Sequence, residues 1–296
     1  MRTDDVKRLQ RMDRFLYWMD ERHRIYLRRV AGDQKPWTDD EILREFYFTN
    51  VYRELDRTTQ WFKRTVREPL QDSVEVIFAT VCWRWFNLIE TGEVLREHGW
   101  LREWDEAAVV AELGRRRTEG KPVFTGAYMI NSPPGRPKLE AICARITNVW
   151  RDLYPLVRDA AGWATLQQAH NRLRAYDGMG GFMAYEIVCD LRHTAVLDRA
   201  TDISTWANPG PGAVRGLYRV LGMPIPNKSN ATAPPPPSDW TERMVDLLTA
   251  ARVVLPSGFP LEMREIEQSL CEFDKYERLL WHEGKSKRRY AGGTLL

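Results

Sequence analysis

An all-α fold is what this sequence predicts, on three observations. Apolar residues recur at three- and four-residue spacing through most of the chain, the period of a helix with one buried face. No long stretch keeps the alternation of a half-buried strand. Glycine and proline interrupt the periodic stretches where short interhelical loops are needed.

The elements follow in order. Leu9, Met12, Leu16, Met19, His23, Tyr26 and Val30 mark one helix face, and Gly32 ends that helix. Lys35-Pro36-Trp37 is a loop. Thr38 is read as the next N-cap, with Glu41 completing a capping box ahead of Ile42, Phe46 and Tyr47. Val74 to Thr91 reads as one helix with Ile77, Val81, Trp85 and Leu88 inward, stopped or kinked at Gly92. Arg102 to Arg117 is helical and ends before Gly120-Lys121-Pro122. Val123 to Ile130 is too short to classify, and Asn131 to Pro137 is a loop. Leu139 to Tyr154 buries Ile142, Ile146 and Val149. Two more helices flank Gly178 to Gly181. Asn208 to Gly212 is a rigid turn, and Leu261 to Trp281 forms the last helix before a basic tail. Residues 224–239, with prolines at 234 to 237, read as a semi-extended linker. The expected organisation is therefore an N-terminal helix over 1–37 and a helical core over 38–223. The linker over 224–239 then leads to a C-terminal helical segment over 240–296 packed on the core.

Composition removes several function classes. The chain has 296 residues, 43% of them hydrophobic and 29% charged, an ordinary globular balance. No apolar run approaches a membrane span, and the start of the chain has no signal-peptide core, so no membrane association is expected. The four cysteines are scattered without CxxC spacing, which fits reduced thiols in a cytosol. No HExxH or clustered histidines occur, so no metal and no cofactor are expected. Gly114 to Lys121 only superficially resembles a phosphate loop: its glycines are misspaced and Pro122 stands where Ser or Thr is required. A net charge of +3 does not by itself demand a nucleic-acid partner. Twelve tryptophans and local arginine clusters supply the residue types that stack on bases and hold phosphates, and they serve equally well as core and solvated surface.

The most informative local pattern runs from Leu173 to Ile187. It is a helix, then Gly178-Met179-Gly180-Gly181, then a helix carrying Ala184 for close packing. Glycines there reach backbone angles closed to other residues and leave room for a phosphate at the next helix's N-terminus. The pattern resembles the helix-hairpin-helix of DNA glycosylases, which makes Gly178, Gly180 and Gly181 candidate DNA contacts. In such enzymes a catalytic aspartate opens a later helix. Asp202 matches that place better than Asp198, and either can equally be a helix cap. Glu186 and Asp190, four residues apart, form either a buried polar network or a surface stripe. Asp274 and Arg278 have the spacing of a helical ion pair.

Several separated strings reach further together. They are Phe48-Thr49-Asn50-Val51-Tyr52-Arg53, Arg84-Trp85-Phe86-Asn87, Phe124-Thr125-Gly126-Ala127-Tyr128, and Tyr185-Glu186 with Asp190-Leu191-Arg192. Trp206 to Gly212 with Arg215-Gly216-Leu217, and Leu270 to Tyr276 with Arg278, complete the set. In order and wording they resemble the alpha-glutamyl/putrescinyl thymine pyrophosphorylase family over about residues 45 to 290. These are bacteriophage amino acid:DNA transferases, related to the helical domain of 5-hydroxymethyluracil DNA kinases.

The resemblance implies a glycosylase-like helical fold acting on double-stranded DNA that contains phosphorylated 5-hydroxymethyluracil. The enzyme would replace the (pyro)phosphate with an amine from an amino acid or a polyamine. A separate DNA kinase would supply the substrate, and the setting would be cytoplasmic, in the host if the chain is phage-encoded. Under this reading Asp202 is the first choice of base, with Glu186 or Asp190 behind it. Arg84, Arg215, Lys275 and Arg278 would stabilise the leaving phosphate, and Asn87 would read the base edge. Tyr128 and Trp206, with Trp85, would stack on an extruded base. Cys189 or Cys271 as a nucleophile is a minor route. Lys285, Lys287, Arg288 and Arg289 in the tail would contact phosphates. A glycosylase acting on a modified base and a non-catalytic DNA-binding partner of the kinase remain open alternatives.

Overall fold

A computed structural model describes residues 1–132, 135–225, 235–255, 258–283 and 289. The expectation of an all-α fold holds: among the described residues there are helices and turns, with one isolated antiparallel bridge between Phe46 and Arg289. None of these helices is long and apolar enough to cross a membrane. In chain order, α1 is Thr3–Arg8, α2 Arg11–Ala31, α3 Glu41–Glu45, α4 Arg57–Phe62 and α5 Glu75–Phe86. Next come α6 Ile89–Glu97, α7 Glu106–Thr118, α8 Lys138–Arg151, α9 Leu153–Ala160 and α10 Leu166–Leu173. The last four are α11 Gly181–Leu191, α12 Pro211–Leu221, α13 Trp240–Val254 and α14 Met263–Leu280. The chain forms two compact units: a split one, Met1–Arg57 with Ile203–Leu296, and a continuous one, Thr58–Asp202. These limits differ from the divisions at 37, 223 and 239 read from the sequence.

The continuous unit is built around α5, which is buried and, apart from Thr80 and Arg84, apolar from Val76 to Phe86. Helices α8 and α11 pack against it. Trp83 stacks on Phe62 at 5.4 Å and leans on Trp61 at 4.8 Å. Phe78 meets Trp150 at 4.7 Å. A β-carbon at Gly92 would lie 2.3 Å from the Trp61 ring, so the absent side chain is what lets α6 sit over these indoles.

The split unit is centred on α14, whose buried stripe runs through Ile266, Leu270, Phe273 and Tyr276. Helix α12 lies against it at unusually short range. A β-carbon at Gly216 would stand 2.0 Å from the Leu270 carbonyl, and one at Gly212 would stand 2.4 Å from Cys271 Sγ. Helix α2 adds Phe15, edge-on to Phe273 at 5.3 Å, and buries Arg14 by pairing its Nε with Glu277 at 2.9 Å.

Several sequence expectations need correction. The buried face of α2 is centred on Phe15, Trp18, Met19 and His23, while Met12 and Val30 are exposed; pairing with Glu277 lets Arg14 turn inward. The N-cap of α3 is Asp40, whose Oδ1 accepts from the amides of Ile42 and Leu43. Thr38 instead accepts from the Asp40 amide. Val74 to Thr91 is two helices, because Asn87 takes a left-handed conformation (φ 44°) and ends α5. Gly92, expected at a stop or kink, lies inside α6. Leu139 to Tyr154 also divides. A helix running through Pro155 would lose an amide donor and crowd the carbonyl of Arg151, the residue at which α8 ends. Helix α7 begins only after the Asp105 cap and runs through Gly114 to Thr118, so most of the phosphate-loop look-alike is helix and only Glu119 to Lys121 lie beyond it. Most of the proline-rich stretch, residues 226–234, lies outside the described residues.

Candidate functional site

The hairpin forms as its glycines require. Helix α10 ends at Leu173, and the turn passes through Gly178 at φ +70°, a conformation that disfavours any β-carbon. A β-carbon there would also fall 2.1 Å from Arg145 Nε. Met179 is buried and anchors the turn. Gly178 and Gly180 are exposed, and nothing lies within 4 Å of where a Gly180 side chain would be. Gly180 is the N-cap of α11 and supplies no side-chain cap, so the first amides of α11 have no cap bond from it. His170 sits behind, with Nε2 3.0 Å from the Gly181 carbonyl; burial pushes its pKa below the ordinary imidazole range.

Helix α11 then carries Glu186 and Asp190 on one face, turned toward the last turn of α5. Arg84 meets Asp190 in a two-pronged pair, Nε to Oδ2 at 2.5 Å and Nη2 to Oδ1 at 2.6 Å. Its Nη1 donates to Glu186 Oε2 at 3.2 Å and Asn87 Oδ1 at 3.3 Å. The Tyr128 hydroxyl donates to the Arg84 carbonyl at 2.7 Å, and the Tyr128 ring meets Phe182 edge-on at 5.1 Å. Of the two alternatives the sequence left open for Glu186 and Asp190, the structure has the buried network. Asp190 is fully buried, Arg84 is 3% exposed and Glu186 is 8% exposed. One guanidinium thus faces two carboxylates. Asp190 takes the two-pronged edge of the guanidinium, and Glu186 meets Arg84 at longer range and is less enclosed.

Asp202 is held differently. Its two oxygens accept from the amides of Leu166 (2.7 Å) and Gln167 (3.1 Å), capping α10 together with Thr165. Trp85 is 2% exposed and has the Arg145 guanidinium 5.7 Å from its ring centre, so it offers no open stacking face. Arg145, the cation nearest the hairpin glycines, escaped the sequence reading. Its spacing from Ile142 and Val149 on α8 could have placed it beside the buried stripe.

The remaining candidates belong to the split unit. Asp274, buried on α14, receives Arg215 Nε at 3.0 Å, Arg219 Nε at 2.8 Å and Arg278 Nε at 3.3 Å. Lys275 donates to Glu272 at 2.6 Å and to the Tyr47 carbonyl at 2.8 Å, and its ammonium lies 4.3 Å from the Phe48 ring centre. Glu272 also accepts from the Thr49 amide at 3.1 Å, and Glu267 accepts from the Gly210 amide at 3.0 Å. Trp206 is half-buried. Arg289 places its guanidinium 5.8 Å from the Phe46 ring centre, whereas Lys285, Lys287 and Arg288 lie outside the described residues. The strings that looked scattered in the sequence therefore converge twice. Those near residues 84, 128 and 186–190 meet in the continuous unit, and those near 48, 210–217 and 270–278 meet in the split unit.

Comparison with known proteins matches residues 9–286 to a family described as the helical domain of 5-hmdU DNA kinase. A curated relative, the 5-hmdU DNA kinase of Bacillus phage SP10, is 29% identical over 253 residues, covering 74% of this chain and 38% of the relative. The chain thus spans well under half the length of that relative. No solved structure matches.

Proposed function

Because this chain belongs to the family of the 5-hmdU DNA kinase helical domain, we propose that it takes part in hypermodification of thymine in phage DNA, as a transferase on phosphorylated 5-hydroxymethyluracil. The observation carrying this reading is the pairing, within the continuous unit, of an open glycine hairpin with the Arg84–Asp190–Glu186 cluster. The exposed amides opening α11 suit a DNA phosphate, and extrusion would bring the modified base out of the stack.

In the proposed step, the amine nitrogen forms a bond to the exocyclic carbon of the base. The carbon–oxygen bond to the phosphate breaks, and the phosphate leaves with the electron pair. The proton lost by nitrogen goes to Glu186. Asp190 and Arg84 act as positioning residues that fix the Glu186 carboxylate, and Asn87 and Tyr128 hold Arg84 in turn. Asp202, with both oxygens on backbone amides, is a helix cap under this proposal rather than the base. The three arginines on Asp274 act first as structure.

The test is incubation of the full chain with DNA carrying phosphorylated 5-hydroxymethyluracil and glycine, glutamate or putrescine, followed by nucleoside mass spectrometry. A new amine-bearing nucleoside, lost in Glu186→Gln with DNA binding retained, is the expected result. Abasic sites would indicate a glycosylase. DNA binding without any product across the three amines would leave the non-catalytic partner of a kinase.

A further inference from the structure

Within the split unit, a cleft of about 380 Å³ opens between α2, the Lys35-Pro36-Trp37 loop, α3 and the strand-like run Phe46 to Phe48. Its size lies in the range of small-ligand sites, roughly 300–1,000 Å³. Four cations line it, Arg22, Arg29, Lys35 and Arg44, and among the described residues no carboxylate does. Several cations elsewhere in this unit are matched by carboxylates: Arg14 by Glu277, Lys275 by Glu272, and three arginines by Asp274. Arg29 and Arg44 differ, making no ion pair among the described residues; Arg29 only rests near the Tyr26 ring, 5.7 Å from its centre. Arg22 is held in place by the Phe48 carbonyl at 3.1 Å and Asn50 Oδ1 at 2.8 Å, neither of which carries a charge. Arg289 brings a further cation beside Phe46. The rest of the wall is aromatic, with Trp37, Phe46 and Tyr47 half-buried.

Arg29 and Arg44, close to Arg22 and outside any ion pair among the described residues, oppose one another, since each guanidinium raises the cost of the next. Burial and, to a lesser degree, the neighbouring Arg29 lower the pKa of Arg22, against the opposing pull of Asp56, Tyr47 and Glu272. A ligand that is anionic and flat relieves both features, because phosphate takes the guanidinium forks and a heterocycle takes the ring faces. We propose that this cleft is a nucleotide-binding site, taking a nucleoside phosphate with its base against Trp37 and Tyr47 and its phosphate on Arg29 and Arg44. The same chemistry is offered by a free nucleotide and by an unstacked nucleotide of a DNA strand. The site is separate from the cluster assigned to amine transfer and stands whether or not that activity is found.

The test uses the full chain, fluorescence anisotropy with labelled oligothymidylate, and competition by dTMP or inorganic phosphate. The variants are Arg29→Ala/Arg44→Ala, Trp37→Leu and the surface control Arg243→Ala, each checked by circular dichroism. The double arginine variant is expected to lose at least tenfold in affinity and to show a shallower salt dependence. Trp37→Leu should weaken oligothymidylate and dTMP while leaving inorganic phosphate unchanged, and Arg243→Ala, at an exposed position belonging to neither site, should bind as the parent does. Competition by dTMP at concentrations where phosphate fails supports a free-nucleotide source. Binding of the strand alone, still lost in the cleft variants, supports a DNA source. Unchanged binding in folded cleft variants, or competition by phosphate as effective as by dTMP, overturns the proposal.

Discussion

Arg84 and its two carboxylates are coupled tightly enough that removing each member should fail in a different way. Arg84→Met takes the two-pronged guanidinium partner from the fully buried Asp190, and urea unfolding should show a loss of about 3–5 kcal/mol. Glu186→Gln keeps a hydrogen-bonding oxygen toward Arg84, so its unfolding midpoint should stay near that of the parent while turnover falls. Glu265 makes a separate prediction about pH. Burial pushes its carboxyl up to about 7, although Arg264 Nε at 2.8 Å favours the charged form. The folded state therefore holds a proton that the unfolded chain releases near 4.5. The stability tied to this proton is complete below the lower value and is lost as pH rises through the higher one. Asp56, pushed up to about 6 by burial, acts with the same sign. Urea unfolding at pH 5 and pH 8 should show lower stability at pH 8, with the drop reduced in Glu265→Gln. The four-residue spacing of Glu186 and Asp190 was legible in the sequence; their partner was not, because Arg84 lies 106 residues from Asp190. Asp202 illustrates the opposite difficulty, since a carboxylate at the start of a helix has the same local sequence whether it caps or catalyses.

Helix boundaries follow from a few backbone decisions. Asn87 stops α5 in a left-handed turn, and its amide donates to the Trp83 carbonyl at 2.7 Å. Nothing in its neighbourhood of apolar residues announces this, because Asn tolerates the conformation without requiring it. Glycine positions were easier to find than to interpret. Gly178 was legible as a turn, whereas Gly92 and Gly216 are helical and serve close approach, a property of the neighbour and not of the local sequence. Gly216→Ala makes the distinction measurable. In an exposed helix that change stabilises by roughly 1 kcal/mol. Here the new methyl would meet the Leu270 carbonyl, so a loss of about 1–3 kcal/mol is expected in urea unfolding. Gly178→Ala should cost about 1–2 kcal/mol through its positive φ, and it should also displace Arg145. A hairpin that grips DNA then predicts weaker duplex binding in a gel-shift assay, with the helical signal intact.

At the scale of the molecule, the helical class was readable because amphipathic periodicity is local, and the grouping of helices was not. Residues near 48 and 275 share one unit, with Lys275 on the Tyr47 carbonyl, although most of the chain separates them. The continuous unit encloses its own apolar helix α5 and the Arg84 cluster. An excised fragment of residues 58–202 should therefore give a helical circular dichroism spectrum and a single cooperative urea transition. A spectrum without helix would show that its core is not self-sufficient.

The split unit imposes an order on biogenesis. Its α2 buries Phe15, Trp18 and Met19 in a unit that also needs α12 and α14, which leave the ribosome only after the whole intervening segment. Until then a Trp- and Phe-bearing surface stays uncovered on the nascent chain, while the intervening segment already has every residue its own core requires. Translation thus lengthens the exposure of the first helix, and chaperone capture should concentrate there. Ribosome-stalled chains ending near residue 240, which free the central segment from the exit tunnel while α12 is still inside it, should protect that segment from protease and leave residues 11–31 open to it.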